Sequence, residues 1–355
     1  MGNNQNKIAE KDTAKPARPY RVTSFDVAAE AGVSQSTVSR ALAGDPVVSE
    51  GTRLRVIEAA RRLNYHVDEN AARLRTGKTG TLAVILICRP GENRKDVNPF
   101  YFSLLGSICA AASNRGHETL VSFQDTSENL WGLYQEQRKA DGVIVIGTTE
   151  NREAWSYFQD IAASGANIVC WGAPWDDLPW VRSDNAAGTH LAVGHLIAKG
   201  YRQIACIASE TSPQRQFKER YDAYVECVRE AGLDPHLVSI DKGHPRDEQG
   251  RRATAALIES GQPFDAIFAV CDEIALGVLE ELHARGLKVP QEVGLAGFDG
   301  LRAGAHVTPS LTSVEPDFQA AGSILVERLL SLVTGTPCEI RRAPVRLLER
   351  GSTQR

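Results

Sequence analysis

The sequence lacks any apolar run of about 18 residues, the length that a membrane-spanning helix needs. Its first 20 residues are polar and contain no apolar segment of the kind found in secretory signals. We therefore expect a cytoplasmic protein that has no membrane partner, with residues 1–20 forming a disordered arm.

Cysteine is sparse, and the commoner catalytic motifs are missing. The seven cysteines are scattered and form no C-x-x-C pair, which argues against a disulfide framework or a structural zinc site. Neither G-x-S-x-G nor H-E-x-x-H occurs. These absences predict reduced, buried thiols, no metal, no cofactor and no catalytic residue.

One short segment imitates a nucleotide-binding loop. The GKT at 77–79 matches the end of that motif, but Ala72 stands where the motif requires glycine. A strand should precede such a loop, whereas here the predicted strand follows it. The segment therefore gives no reason to predict an NTPase.

Charge of one sign is not in large excess, since the formal net charge is −4. The distribution is uneven, however: residues 1–80 carry 13 Lys and Arg against 9 Asp and Glu, and the remaining residues carry 27 against 35. This modest positive excess favours binding of a polyanion at the N-terminus rather than along the whole chain.

From residue 81 onward, apolar runs of strand length alternate with segments of helical period. Strands are predicted at 81–87, 118–123, 142–147, 167–172, 202–208, 236–240, 266–270 and 293–298. Helices are predicted at 100–115, 128–139, 152–164, 186–199, 217–231, 247–260 and 273–286. Strands that are apolar on both faces and separated by helices indicate parallel sheets covered on both sides. We predict an α/β core of two doubly wound parallel-sheet subdomains with a ligand cleft between them, and keep a (β/α)8 barrel as the alternative.

The N-terminal residues follow another pattern, with three short helices predicted at 25–31, 35–42 and 49–63. Gly32 can end the first helix and Ser34 can cap the second, which gives a helix-turn-helix. The second helix would turn five side chains outward near its N-terminal end: Gln35, Ser36, Thr37, Ser39 and Arg40. Side chains of this chemistry can read base edges and hold phosphates in a major groove. A small helical domain with a polar face is the alternative.

The segment VTSFDVAAEAGVSQSTVSRALAGDPVVSEGTRLRVIEAARRLNY resembles the DNA-binding headpiece of LacI/GalR-type transcriptional regulators. It carries DVA…AGVS…TVSR.L and then VS..TR..V..A...L.Y, nearly without interruption. The resemblance implies an all-α headpiece at 21–66 in which Gln35, Ser36 and Arg40 read bases. It also implies that four further residues contact phosphates: Thr23, Ser49, Thr52 and Tyr65.

Residues 67–79 connect the headpiece to the core. The stretch DENAARLRTG is shorter than the roughly 12–15 residues that an isolated helix needs, so it should fold only against a partner. The matching segment of LacI/GalR-type regulators is a hinge helix. The resemblance implies that Leu74 is wedged into the minor groove of DNA. A plain linker with one leucine is the alternative.

The resemblance continues through residues 80–355. The segments VRSDNAAGTHLAVGHLIAKGYRQIACI and CDEIALGVLEELHARGLKVPQEVGLAGFDG look like two segments of the family's core. They imply a core similar to periplasmic sugar-binding proteins, with subdomain one at about 80–182 and 314–335 and subdomain two at about 183–313 and 336–355. No leucine-heptad tail follows RLLERGSTQR, which favours a homodimer over a tetramer.

Carried over position by position, the resemblance implies an effector site in the cleft. Phe100 and Tyr101 would lie at its mouth, and Arg220 and Asp299 would bind the hydroxyls of a ligand. Three further residues complete the implied site: Trp171, Cys271 and Asp272. An arginine–carboxylate pair with aromatic faces suits a pyranose, so a sugar effector is predicted, with nucleobases as the runner-up class.

Together these features predict a ligand-responsive, sequence-specific regulator that binds double-stranded operator DNA and represses carbohydrate-utilisation genes. A sugar in the cleft would move the subdomains and release the DNA through the connector. The competing hypotheses are a nucleobase-responsive regulator, a cytoplasmic sugar-binding module without DNA function, and a doubly wound enzyme.

Overall fold

The computed structural model of the protein describes the ranges 22–65, 77–93, 97–210, 214–241, 243–339 and 341–354. The chain divides between Gly77 and Lys78 into two units, of which the first is helical and the second is α/β. Across the described ranges, no helix combines the length and the apolar character that crossing a membrane requires.

Three helices make up the first unit, the headpiece: α1 (Ser24–Ala31), α2 (Gln35–Leu42) and α3 (Glu50–Arg62). Thr23 caps the start of α1, and its backbone amide and hydroxyl both donate 2.7 Å hydrogen bonds to the Asp26 carboxylate. This cap satisfies a backbone amide at the helix start and places a negative charge in the first turn, where the helix dipole favours it.

The turn between α1 and α2 depends on Gly32. Its φ of 62° is a left-handed conformation that costs little only for glycine. Ser34 then caps α2 by accepting a 3.1 Å hydrogen bond from the Thr37 amide. The predicted helix-turn-helix is confirmed, and α2 spans the predicted residues 35–42.

The interior of the headpiece is small and takes one valine from each helix. Val27, Val38 and Val56 are fully buried. Ala41 and Ala59 are buried beside them, and their short side chains let the helices approach closely. With this inward side occupied by apolar groups, the polar side chains of α2 remain outside.

The second unit, the core, contains two sheets, each with six strands in the described ranges. The first sheet holds β1 (Thr81–Ile87), β2 (Glu118–Gln124), β3 (Gly142–Gly147), β4 (Ile168–Trp171), β5 (Trp180–Ser183) and β11 (Arg342–Ala343). Its order is β11-β5-β4-β3-β1-β2, and all of its neighbouring strands are parallel.

The second sheet repeats this plan. It holds β6 (Ile204–Ala208), β7 (His236–Ser239), β8 (Ala266–Ala269), β9 (Gly294–Phe298), β10 (Thr312–Pro316) and β12 (Val345–Leu348). Its order is β12-β10-β9-β8-β6-β7, and only β12 runs antiparallel to its neighbour.

Helices cover both faces of each sheet. Those of the core are α4 (Pro99–Ser113), α5 (Arg152–Ala163), α6 (Asn185–Ala198), α7 (Arg215–Glu230), α8 (Arg246–Glu259), α9 (Asp272–Ala284) and α10 (Phe318–Thr334). Helix α4 packs on α10, α6 on α7, and α8 on α9. Two open, doubly wound sheets were predicted and are confirmed, and the barrel alternative is wrong.

The two covered faces explain why the strands are continuously apolar. Alternate residues of β1 point to opposite sides of the sheet. Leu82, Val84 and Leu86 belong to the apolar cluster that includes α4 and α10. Ala83 and Ile85, from the opposite face, belong to the cluster that includes α5. A run with no polar position is therefore required, because neither face reaches water.

The end of the chain crosses between the subdomains at other residues than expected. Strand β10 lies in the second sheet, α10 packs on the first, β11 joins the first and β12 returns to the second. The expected boundary at 314 therefore falls inside β10. The expected return at 336 comes too early, because residues 342–343 still pair with β5. Short edge strands carry too little periodicity for a sequence pattern to reveal them.

The helix predicted at 128–139 is absent, and that prediction is wrong. Residues there form turns around the buried side chain of Gln124. Its oxygen accepts a 2.9 Å hydrogen bond from the Trp131 amide, and its nitrogen donates to the Trp131 carbonyl at 3.0 Å. The amide of Gly132 donates to the Tyr157 hydroxyl at 3.0 Å. These tertiary hydrogen bonds, together with a glycine of low helix propensity, override the local pattern.

Helices α8 and α9 cross with their backbones almost in contact. A Cβ atom on Gly277 would lie 1.9 Å from the Asp247 carbonyl oxygen. One on Gly250 would lie 2.1 Å from the Ile274 carbonyl oxygen. Only glycine at both positions permits this approach.

We therefore expect Gly277→Ala to destabilise the protein by about 2 kcal/mol or more, because the two backbones must separate. The matched control is Gly194→Ala in α6, where an added Cβ meets no atom within 4 Å. It should stabilise by up to about 1 kcal/mol through helix propensity. Urea unfolding measures both changes. A Gly277→Ala protein as stable as the control would contradict the packing described.

Candidate functional site

The side chains that the sequence nominated for the DNA groove lie on α2, and none of them is buried: Gln35, Ser36, Thr37, Ser39 and Arg40. Ser36 and Arg40 are one helical turn apart and are exposed. Val38 and Ala41 occupy the other side of the helix and are buried. The helix therefore presents a polar surface, as the periodicity predicted.

At least three of these side chains are engaged inside the headpiece, and one of them is Ser36, whose hydroxyl lies 2.9 Å from that of Ser34. The Gln35 amide donates a 3.2 Å hydrogen bond to the Ser24 hydroxyl, which ties α2 to the start of α1. The Thr37 hydroxyl lies 2.8 Å from the Ser34 hydroxyl, next to the helix cap. Within the described residues, Arg40 makes no ion pair. Its guanidinium is therefore the group on this surface that can reach a partner without breaking an existing contact.

The residues nominated for phosphates lie at helix ends. Thr23 caps α1, and Ser49 caps α3 with its hydroxyl 3.0 Å from that of Thr52. Helix N-termini carry partial positive charge and backbone amides that suit a phosphate. Tyr65 follows α3 and is half-buried against the headpiece interior. Leu74 lies outside the described residues.

A cavity of about 830 Å³ opens in the core. Its walls include residues that directly follow β1, β3, β8 and β9, so it lies at the carboxyl ends of parallel strands, where ligands of α/β proteins bind. Five of the nominated effector residues line it: Phe100, Tyr101, Arg220, Cys271 and Asp299. Trp171 and Asp272 do not.

Arg220 is held firmly in the wall of the cavity, with 2% of its side chain exposed. Its Nη1 donates to Asp299 Oδ1 at 3.0 Å and to the Val270 carbonyl at 2.7 Å. Its Nε donates to the Asn185 side chain at 2.9 Å, and its guanidinium lies 3.6 Å from the centroid of the Phe298 ring. Among the described residues, Nη2 has no hydrogen-bond acceptor, so that group is left for a ligand.

Asp299 occupies a strained position, since its φ is 114° and it is not glycine. Its amide donates to the Val314 carbonyl at 2.7 Å, and the Leu301 amide donates to Asp272 Oδ2 at 2.7 Å. Burial raises the pKa of the Asp299 carboxyl, although the charge and hydrogen bond of Arg220 oppose the shift. The turn thus holds this carboxylate against the arginine.

The assignment of Asp272 to the effector site needs correction. Its side chain is fully buried, and it accepts hydrogen bonds from the Leu301 amide at 2.7 Å and the Ser313 hydroxyl at 2.6 Å. It fills the space where a Cβ on Gly297 would stand, 2.2 Å from its Oδ1. Asp272 therefore positions the turn that carries Asp299 rather than facing the cavity.

The assignment of Trp171 needs correction too. It is 1% exposed, and its ring packs 5.9 Å from that of Phe100, on the face of β4 covered by α4 and α10. Trp175 packs against the cluster on the other face of the sheet, and Trp180 stacks under Arg182 at 4.2 Å. The aromatic residues that do line the cavity are Phe100, Tyr101 and Phe217.

Tyr101 and Cys271 contribute neutral groups to the cavity. Burial raises the pKa of the Tyr101 hydroxyl, and the charge of Asp299 raises it further. The same two causes raise the pKa of the Cys271 thiol. Both groups keep their protons at neutral pH, so the tyrosine hydroxyl can donate to a ligand.

A chain of charged side chains, which no sequence pattern predicted, crosses the cleft. Arg246, from α8, donates to Glu150 Oε1 at 2.5 Å, and Arg89 donates to Glu150 Oε2 at 2.6 Å. Burial alone would raise the pKa of Glu150, but Arg246 and Arg89 hold it below its ordinary value. Arg89 and Glu150 follow the ends of β1 and β3. Their position at the carboxyl edge of the sheet is therefore the sequence feature from which they could have been predicted.

Glu273, on α9, was missed as well. It lines the cavity and accepts a hydrogen bond from the side chain of Asn98 on the opposite subdomain. Burial, and then the charge of Asp299, raise the pKa of Glu273 to about 7, although Arg246 and Arg89 oppose the shift. In the described part of the chain, no cationic group lies within 4.0 Å of this carboxylate.

A second charged group joins the subdomains where the chain crosses between them. Glu219, on α7, accepts hydrogen bonds from Arg342 Nη1 at 2.7 Å, Arg182 Nη1 at 3.1 Å and Asn185 Nδ2 at 2.6 Å. Burial would raise the pKa of Glu219, but these three partners lower it below its ordinary value. The next residue is Arg220, so one turn of α7 contacts both the crossing strands and the cavity.

Glu273 should make stability depend on pH. Because its pKa is about 7 in the folded protein against an ordinary 4.5, folding favours the protonated form. The carboxyl therefore destabilises the core progressively as the pH rises through that interval. Glu273→Gln should nearly match wild type at pH 5 and be more stable by about 1–3 kcal/mol at pH 8, as measured by urea unfolding.

The control for this prediction is Glu280→Gln on the same helix, at a side chain that is 65% exposed. Its effect on stability should be the same at both pH values. A Glu273→Gln protein whose advantage does not grow between pH 5 and pH 8 would contradict the burial of this carboxyl.

Comparisons with known proteins agree with both units. Residues 25–68 match the family model of bacterial regulatory proteins, lacI family, and residues 193–353 match that of the periplasmic binding protein-like domain. The chain is 30% identical over 341 residues to the HTH-type transcriptional regulator CelR of Thermobifida fusca, a match that covers 93% of this chain and 96% of CelR.

Two solved structures resemble the chain over most of its length. The complex of the transcriptional regulator CelR with cellobiose gives a TM-score of 0.65 at 27% identity, covering 94% of this chain and 100% of that one. The Lac repressor dimer bound to operator and the anti-inducer ONPF gives a TM-score of 0.72 at 23% identity, covering 94% of this chain and 99% of that one. This likeness supports the fold. The chain therefore belongs to the LacI family of DNA-binding transcriptional regulators.

Proposed function

We propose that the protein is a cytoplasmic, homodimeric repressor that binds operator DNA through its headpiece and is released by a sugar bound in the core cavity. The observation that carries the ligand assignment is the buried Arg220–Asp299 pair in the cavity wall. The solved complex of the related CelR with cellobiose supports a sugar here as well. We assign the protein no enzymatic role, in keeping with CelR, a transcriptional regulator.

In this proposal, α2 enters the major groove and reads base edges. The Arg40 guanidinium is suited to the O6 and N7 acceptors of guanine, and the Gln35 amide to adenine. Gln35 would give up its 3.2 Å hydrogen bond to Ser24 in exchange. Ser36, exposed beside Arg40, adds a short donor and acceptor to the same surface. Thr37 and Ser39 hold phosphate oxygens along the edge of the groove.

Phosphate contacts would fix the register of the headpiece on the duplex. The proposed groups are the hydroxyls of Thr23, Ser49, Thr52 and Tyr65. The partial positive charge at the starts of α1 and α3 supports this role for the first three. The wedge proposed for Leu74 rests on the sequence resemblance, because Leu74 lies outside the described residues.

The cavity offers a sugar a matched donor and acceptor. Arg220 Nη2 can donate to a hydroxyl oxygen, and the carboxylate of Asp299 can accept from the same or the neighbouring hydroxyl. The rings of Phe100 and Phe217 can cover the apolar face of the sugar ring. These side chains come from both subdomains, so a bound sugar contacts both walls of the cleft.

Ligand binding would act by changing how the two subdomains meet. The walls are joined by the Glu150–Arg246 ion pair and by the hydrogen bond from Asn98 to Glu273. A ligand that reorganises these contacts needs a coupling of about 1–3 kcal/mol to change operator affinity roughly 5–150-fold. The homodimer would place two headpieces on the half-sites of a pseudo-palindrome, and the operator-bound dimer of the Lac repressor supports this arrangement.

Arg40→Ala tests the reading surface. Against an operator selected from random duplexes, this variant should lose about 5–150-fold in affinity, because a bidentate contact to a base is removed. Its affinity for unrelated duplex should fall far less. Gel-shift titrations at one salt concentration measure both losses.

The control for this test is Arg62→Ala, an exposed arginine at the end of α3 that pairs with Glu58 and Glu30. It should change the two affinities by the same small factor. If Arg40→Ala, like the control, weakens binding to the selected operator and to unrelated duplex by the same factor, Arg40 does not read bases.

Asp299→Asn tests the ligand site. Asparagine tolerates a positive φ and can still accept the hydrogen bond from Arg220, so the fold should persist. The loss of a charged acceptor should weaken sugar binding by about 10–150-fold, with operator binding intact. Release of operator DNA by a binding sugar is measured for this variant and for Asp241→Asn, whose carboxylate is exposed. Release of Asp299→Asn at the wild-type sugar concentration would remove Asp299 from the site.

A further inference from the structure

The described wall of the cavity carries more carboxylates than arginines. Its described wall carries three arginines: Arg89, Arg220 and Arg246. Each already has a carboxylate within 3.4 Å. A ligand that carries a phosphate or a carboxylate would therefore meet no guanidinium whose charge is not already balanced by a carboxylate, and it would bring negative charge next to Asp299 and Glu273.

The carboxylates of the same wall are not all neutralised. Glu92 pairs with Arg89 and Asp299 pairs with Arg220, while Asp247 is exposed to water. That leaves Glu273, which in the described part of the chain has one polar partner, the neutral side chain of Asn98. The excess negative charge of the cavity is thus located on one side chain.

The position of Glu273 in the first turn of α9 does not compensate for this. A carboxylate there gains from the helix dipole. The pKa of Glu273 is nevertheless raised, first by burial and then by the charge of Asp299. A half-buried carboxylate with no cation of the described residues within 4.0 Å is unfavourable, and glutamine would bind a neutral hydroxyl equally well without that cost.

We propose that the effector is an amino sugar whose protonated amine is bound by Glu273 while Arg220 and Asp299 bind its hydroxyls. This inference rests on the proposed function of the cavity as a sugar site. An ammonium group has three donors, and the two carboxylate oxygens of Glu273 supply acceptors for it. The Nη2 group of Arg220, on a side chain that is 2% exposed, marks the adjacent place for a hydroxyl.

An inorganic cation does not suit this place. Among the described residues, no three His, Cys, Asp or Glu side chains are arranged to hold a metal ion. The cavity of about 830 Å³ is also far larger than one ion needs and has the size of sites for organic ligands. The missing positive charge is therefore assigned to an organic ligand.

The test uses the full chain and two sets of saccharides that differ only in the substituent at carbon 2. The first set is glucosamine, N-acetylglucosamine and glucose. The second is the β-1,4-linked disaccharide of glucosamine, its diacetylated form and cellobiose. Calorimetric titration at pH 7 gives the affinity of wild type, Glu273→Gln and Glu280→Gln for each.

In at least one set, wild type should bind the amine at least tenfold more tightly than its hydroxyl and acetamide counterparts. Glu273→Gln should bind the three members of that set within about threefold of one another, because the group that recognises the ammonium is gone. Glu280→Gln removes an equal charge from the exposed side of the same helix and should keep the wild-type preference. If Glu273→Gln does not fold, Glu273→Asp, which keeps the charge, should retain a preference for the amine.

Two results would overturn the inference in different ways. In the first, wild type binds a neutral sugar as tightly as the corresponding amine, or the preference for the amine persists in Glu273→Gln. Glu273 is then not an ammonium site, but the proposed sugar site is unaffected. Failure of every saccharide to bind wild type overturns the proposed sugar function, and this inference with it.

Discussion

The hydrogen bonds of the buried Arg220 guanidinium are the interactions on which the polar wall of the core cavity depends. A charge with 2% of its side chain exposed is very unfavourable unless its partners are in place. Here Asn185, the Val270 carbonyl and Asp299 all accept from it, at 2.7 to 3.0 Å. Asp299 in turn keeps a strained φ of 114° because Asp272 and β10 hold the turn around it. The polar wall is therefore rigid before a ligand arrives, which reduces the entropy lost on binding.

The same turn of α7 connects this wall to the crossings between the subdomains. Glu219 precedes Arg220 and accepts hydrogen bonds from Arg182 and Arg342, which belong to β5 and β11 of the first sheet. On the cavity side, Glu150 binds Arg246 across the cleft. Arg220 therefore belongs to a helix that is tied to the strands at which the chain crosses between the subdomains, and this gives the proposed allosteric coupling a physical route.

The parts of the fold that could be predicted from sequence are those with strong local signals. The helix-turn-helix is encoded by Gly32 and Ser34 in the turn between its two helices, and the buried strands are encoded by long apolar runs. The strands β5, β10, β11 and β12 were not predicted, because each contains polar or charged residues that interrupt any apolar run. Tertiary contacts decided two other cases. The hydrogen bonds of Gln124 hold residues 128–139 in turns where a helix was predicted, and the helices that cover β4 bury Trp171 in the interior.

No sequence motif points to Glu273, because its proposed role depends on which side chains face it across the cleft.

The central claim is that the cavity and the DNA-binding headpiece are energetically coupled. Linkage requires that, if ligand changes operator affinity by some factor, operator changes ligand affinity by the same factor. The direct measurement is calorimetric titration of a binding saccharide into the protein with and without a saturating, selected operator duplex. We predict that bound operator weakens saccharide affinity by a factor in the range of about 5–150. Equal saccharide affinities in the two titrations would contradict the account.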